Sequence, residues 1–359
     1  MKVFYFFFGF LFSTHVSFTQ NVGIGTVTPL ARLHVADSSA LFTGPAVVPA
    51  STTYNPPVSG AGTRMMWYPQ KAAFRAGYVD NNYWDKNLIG IGSMALGINT
   101  LASGESSVSI GSYTMAQGLY ATALGYGSQA SGINSTAIGN TNVSTGFSAH
   151  SFGTENFAGG DFSLAMGNTT VATGNSSTSM GKSTTAQGAN SMAIGISTIA
   201  KASSSLSIGQ HNDEIFSSQP TAWIPTDPLF IIGNGQVLAK SNALVVYKNG
   251  NTDISGFTQM GRTSESAPAI KMKKITATSA TTQNGNTFAA HGLDRAKILG
   301  VQILLTYAPS NDIPANYMDV PGYEFNWQLT NTSVWIITKN ANSANILNKP
   351  MRILVTYEE

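Results

Sequence analysis

The hydrophobic and polar positions of the chain follow one rule between residues 90 and 209 and other rules on either side. In that middle stretch a large apolar residue recurs every fourteen positions: Leu96, Ile110, Leu124, Ile138, Phe152, Met166, Met180, Ile194 and Ile208. Each follows an Ala or Ser, from Ala95 and Ser109 to Ala193 and Ser207. Each precedes a glycine: Gly97, Gly111, Gly125, Gly139, Gly153, Gly167, Gly181, Gly195 and Gly209. A second glycine series lies midway, after small or polar pairs such as Ala102-Ser103 and Ala116-Gln117, so glycine recurs every seven residues with Ala202 as the one exception. A coiled-coil heptad is excluded, because glycine at every seventh position would cost a helix about 1 kcal/mol each time. The period-2 alternation before each glycine predicts a short strand. Glycine then admits a positive φ and turns the chain.

Fourteen residues hold two such strands and two turns, which is one coil of a parallel β-solenoid. Coils stacked at the strand spacing of about 4.8 Å would make a rod on the order of 40 Å long. On this reading the nine apolar residues form a buried core ladder, each contributing roughly 1.5–3 kcal/mol. The Ala/Ser positions form a face that another backbone can approach. Gly139→Val should be disruptive, and Gly195→Ala milder, because Ala202 already carries a Cβ in a glycine slot.

The flanks read differently. Lys2 and the apolar run from Val3 to Phe12 fit a secretory signal over residues 1–19, with cleavage before Gln20. Residues 20–86 predict an N-terminal β and cap region, with a linker rich in Pro, Ser, Thr and Gly from Ala46 to Gly62. Met65, Met66, Trp67, Tyr68, Phe74, Tyr78, Tyr83 and Trp84 crowd together there, as expected of a cap over an open solenoid end. After the repeats at 87–210, residues 211–262 read as a linker and hairpin built on Leu244, Val245 and Val246. Residues 263–359 alternate as antiparallel strands, notably 301–307, 323–329, 334–337 and 351–357, and predict a small β-sandwich-like domain. The fold class is all-β.

Composition narrows the chemistry. Charged residues are 10% of the chain, against roughly 25% in an ordinary domain. The net charge of +2 excludes disorder driven by charge and argues against a nucleic-acid partner. There is no cysteine, hence no disulfide, thiolate metal site or thiol nucleophile. His34, His150, His211 and His291 show no metal-ligand spacing. His150 takes a repeat slot filled elsewhere by Met94, Val108 and Leu164, and reads as a packing residue. Gly181-Lys182-Ser183 lacks the upstream glycine of a phosphate loop, since position 176 is Ser176. Residues 90–209 carry only Glu105, Glu155, Asp161, Lys182 and Lys201 as charged groups. No catalytic residue, metal or cofactor is expected.

The repeat phrase, compact in Ser135-Thr136-Ala137-Ile138-Gly139, resembles the YadA-like head of trimeric autotransporter adhesins. No heptad stalk follows Gly209, so the head repeats alone carry the resemblance. It implies a left-handed parallel β-roll, a tight homotrimer, and a place on the Gram-negative cell surface binding host matrix or other surfaces. The expectation is a secreted, non-catalytic, adhesin-like fibre protein at the bacterial cell surface, whose partner is a protein or glycan on a host, bacterial or environmental surface. A phage-type receptor-binding fibre and, less well supported, a solenoid polysaccharide-active enzyme are the other readings. For the ligand contact, Tyr317 on the loop from Pro309 to Pro321 is preferred over Trp327 and Trp335. Trp327 alternates in phase with Tyr323 and Phe325, which places it in the core.

Overall fold

The computed structural model describes residues 21–37, 39–49, 54–259 and 268–359. The expected signal peptide lies outside them. Each fourteen-residue repeat forms one five-residue and one two-residue strand, from Met94–Ile98 and Leu101–Ala102 to Ile199–Ala200 and Leu206–Gln210. The five-residue strands pair in parallel and in exact repeat register: Leu96 lies on Ile110 and Gly97 on Gly111, then Ile110 on Leu124 and Gly111 on Gly125. The two-residue strands form a second parallel sheet of eight. The result is a β-solenoid with two walls.

The sidedness of the walls is the reverse of the expectation. Ala95, Ser109, Ala123, Ala137 and their successors point into the coil and are fully buried. Ala102, Ala116, Ala130 and Ala158 face them from the other wall, also fully buried. The ladder from Leu96 to Ile208 points outward, and none of its nine residues is buried in the single chain. A coil of fourteen residues encloses too little space for anything larger than Ala, Ser, Thr or Asn. The strand alternation that puts Ala137 inside must therefore put Ile138 outside. The Ala/Ser positions are an interior and not a docking face. Polar interior positions pair within the coil: Ser144 and Ser151 hydroxyls lie 2.7 Å apart, and Ser179 and Thr184 likewise. Asn142 and Asn156 form a short ladder, with Asn156 Nδ2 donating to Asn142 Oδ1 at 2.9 Å and Asn142 Nδ2 donating to the Gly153 carbonyl at 2.7 Å.

The glycines also act otherwise than expected. Gly139 lies within the strand Thr136–Asn140, at φ +124°. The bend follows two residues later, at left-handed residues that are mostly not glycine, such as Tyr113, Thr141 and Glu155. Glycine is required because a Cβ at Gly139 would overlap the carbonyl oxygen of Gly153 in the next coil. The midway series, such as Gly104 beneath Gly118, lacks the positive φ but meets the same obstruction. Ala202 is tolerated because it belongs to that second series and the two-residue sheet ends beside it, at Ile199–Ala200. It offers no precedent for Gly195, which sits at φ +125° beneath the Gly209 carbonyl.

Both ends of the long sheet are extended by strands outside the fourteen-residue period. Gly62–Tyr68 and Ala73–Val79 form a hairpin, and Ala73–Val79 pairs in parallel with the first repeat strand, Gly77 on Gly97. Pro228–Asn234 continues the other end, Gly233 on Gly209, and Asn242–Tyr247 and Thr252–Ile254 then close it antiparallel. Tyr68, Val79, Trp84 and Ile89 are buried against Ala95 and Ala102, closing the N-terminal mouth of the roll. Arg75 takes the register position of Ala95 and is fully buried there. Its Nη1 donates to the Phe74 and Ser93 carbonyls, both at 2.9 Å, and its Nη2 to Ser93 Oγ at 2.8 Å and the Ala102 carbonyl at 3.0 Å. Burial pushes the guanidinium down to about 10, so it stays charged at neutral pH.

In the C-terminal region a five-stranded and a three-stranded antiparallel sheet share one core, including Leu305, Phe325, Val334, Ile336 and Ile353. His291 is buried there, its Nδ1 accepting from the Leu293 N–H at 3.1 Å and its Nε2 3.2 Å from the Thr330 carbonyl.

Gly139→Ala and Gly195→Ala should each lower unfolding stability by about 3 kcal/mol or more in denaturant titration, because the backbone angle and the neighbouring carbonyl both oppose a Cβ. Gly250→Ala, at φ +88° in open space, should lose about 1 kcal/mol. Arg75→Met keeps most of the volume but removes all four guanidinium bonds, leaving the Ser93 and Ala102 carbonyls only their backbone donors, the Phe74 and Gly90 N–H groups. It should lose about 2–4 kcal/mol in the same titration.

Candidate functional site

The outer face of the long-strand sheet is built by three parallel columns of side chains. The middle column is the ladder from Leu96 to Ile208, extended by Ala76 at one end and Ile232 at the other. Beside it runs a second column that includes Phe74, Met94, Val108, Leu164, Leu206 and Phe230, interrupted by Thr122, Thr136, His150 and Thr178. A third column, after the glycines, carries Tyr78, Ile98, Tyr126 and Ile196 among polar residues. Across all three columns the basic side chains are His150 and Lys182, and there is no acid. The His150 ring stacks on Phe152, with centroids 6.3 Å apart and planes 13° from parallel, so it packs as an aromatic member of its column.

The physical character of this face is that of an uncovered interior. Ile110, Met166, Met192 and Ile196 remain 36–45% exposed, and their neighbours are half-buried only through the rungs above and below. A continuous apolar strip of this length is larger than a soluble monomer ordinarily leaves to water. On the opposite wall the first residue of the two-residue strands is apolar except at Gln129 and Thr185, but the residue after each strand is polar or glycine, from Ser103 and Gln117 to Gln187 and Lys201.

The other candidate residues fall elsewhere. Tyr317 is half-buried and packs against the core of the C-terminal sheets. Trp327 also packs inward, as its alternation indicated. Trp335 faces outward from the central strand of the three-stranded sheet and stacks on Phe288. Glu324 is buried, bonded by Asn342 Nδ2 at 2.9 Å and faced by Lys339 Nζ at 3.5 Å, a structural arrangement. Among the described residues no three His, Asp or Glu side chains come together as a metal site. Sequence reasoning missed Arg75 and Phe288. Arg75 carries no signal that could have found it: Phe74-Arg75-Ala76-Gly77 has Arg in the Ala/Ser slot and Ala in the large apolar slot, so Gly77 alone matches the repeat phrase.

The profile of the YadA head domain repeat (two copies) matches residues 89–114, 116–142, 158–184 and 186–212. A search of curated proteins finds no match to the chain. The unmatched stretch between the second and third matches holds Phe147, His150 and Phe152, bulkier or more polar than their counterparts in neighbouring coils. Yet its strands keep the common register, with His150 on Leu164 and Gly153 on Gly167. Sequence period, strand register and family profile agree on one identification: residues 89–212 are a run of YadA-like head repeats.

Proposed function

We propose that the chain is an adhesin-like surface fibre protein that works as a parallel homotrimer, with three rolls packed through their long-strand faces. The observation that carries this reading is the apolar face itself. Its three columns are in register over the whole roll, carry no acid, and in one chain have nothing to cover them. Three copies about a common axis bury that face and leave the short-strand walls and roll edges outward. The YadA head family is of the adhesin type, which supports a place at the bacterial surface and a role in attachment. A trimer presents each contact three times, so weak single contacts add up to useful avidity. The role is non-catalytic, with export by the signal expected at residues 1–19 and a protein or glycan as the bound partner. The C-terminal domain is the place for selective contact, because the roll repeats one small set of Ser, Thr and Asn side chains along its length.

Light scattering on residues 20–359 at micromolar concentration should give three times the mass of one chain. Ile138→Asp combined with Ile194→Asp should yield monomer or unfolded protein. Thr145→Asp, on the exposed side of the short-strand wall, should leave the trimer intact. A wild-type chain that is folded and monomeric under these conditions defeats the proposal.

A further inference from the structure

The three-stranded sheet of the C-terminal domain has Asn286–Ala290 and Phe325–Leu329 on either side of Ser333–Thr338. Ala289, Phe325, Val334 and Ile336 turn to the core. The alternate positions turn outward, and there Phe288, Trp335 and Gln328 lie directly opposite one another across the three strands. The Phe288 and Trp335 rings are 15° from parallel with centroids 5.8 Å apart, and Phe288 is 63% exposed. Trp335 Nε1–H donates to Asn286 Oδ1 at 2.9 Å. That bond fixes which end of the Asn286 amide faces the indole and leaves its Nδ2 hydrogens for a ligand. Gln328 is exposed on the other side of Trp335. The positions on the outward alternation of this sheet are Asn286, Phe288, Ala290, Asn326, Gln328, Ser333, Trp335 and Ile337, none of them ionisable.

We infer that this face is a binding platform for an uncharged glycan. A pyranose ring has an apolar C–H face and a rim of hydroxyls. The outer side of this stack, on the exposed Phe288 ring, offers a flat apolar surface to the first. Amides on either side offer both donors and acceptors to the second. A cross-strand aromatic pair alone stabilises a sheet by roughly 0.2–1 kcal/mol, which accounts for the ring contact but not for the oriented amide beside it. Nucleic acid also stacks on aromatics, but its phosphates call for Lys or Arg, and this face has neither. The inference rests on the reading of the chain as a surface-binding protein and moves the contact from Tyr317 to Trp335 and Phe288.

The test uses the full chain without residues 1–19 and a panel of neutral oligosaccharides: cellohexaose, mannohexaose, chitohexaose and laminarihexaose. Calorimetric titration should detect binding of at least one. Trp335→Ala and Phe288→Ala should each weaken it tenfold or more with unchanged melting temperature and scattering mass, and Tyr317→Ala should not. Should Trp335→Ala fail to fold, the exposed pair Phe288→Ala and Gln328→Ala carries the same test. Binding of none of the four sugars overturns the inference, as does wild-type affinity in folded Phe288→Ala. Dissociation of the trimer by Phe288→Ala also overturns it, because the face is then a contact between chains. A monomeric wild-type chain that still binds sugar through Trp335 refutes the trimer and leaves the platform standing.

Discussion

The structure depends on how closely the backbone of one coil approaches that of the next at the glycines. At Gly97, Gly111 and each successor to Gly209, a Cβ would enter the space of the carbonyl oxygen one coil on. The midway glycines are confined in the same way from Gly90 to Gly188. Two such lines of contact per coil fix how closely the coils stack, and a coil of only fourteen residues leaves a narrow space between its walls, so everything inside must be small. Hence the interior is Ala and Ser, with Thr and Asn where a side chain can reach a carbonyl or another hydroxyl. The apolar mass that stabilises an ordinary domain cannot fit there. It is displaced to the outside of the long-strand sheet, and a single chain leaves it open. The glycine spacing and the proposed need for partner chains are in this sense one constraint.

Much of this was legible in the chain and some was not, for reasons that can be named. The fourteen-residue period, the strand before each glycine and the parallel register follow from a pattern that helices cannot tolerate. The direction of the side chains did not follow. Alternation says that Ala137 and Ile138 lie on opposite faces but not which is inside, and the habit of placing the larger residue inward fails when the coil has no room for it. The bend lies two residues beyond the glycine because Thr141, Glu155 and Tyr113 adopt the left-handed conformation, which residue preference alone reserves for glycine. The terminal strands at Gly77 and Gly233 escaped because their spacing departs from fourteen. Arg75 was missed because a cation is not expected in a core. It is accommodated because four acceptors at the mouth of the roll bond its guanidinium.

The phase of Trp327 with Tyr323 and Phe325 placed it correctly against the core of the C-terminal domain. Tyr317 looked like a loop residue free to meet a ligand, but it is half-buried against that core. Phe288 lies in a short strand of Asn, Thr, Phe and Ala whose alternation is too weak to show in sequence. Its partner across the sheet is what gives it meaning. The domain and the roll thus divide the proposed work: the roll supplies an apolar face for assembly, and the domain supplies distinct aromatic and amide groups for contact.

The central claim is that the outward ladder is covered in the working protein. The chain has no cysteine, so a single one can report on each face. Maleimide labelling of folded Ile138→Cys should be slow until denaturant is added, and labelling of Thr145→Cys should be immediate. Equal and rapid labelling of the two positions in the folded protein would contradict the account.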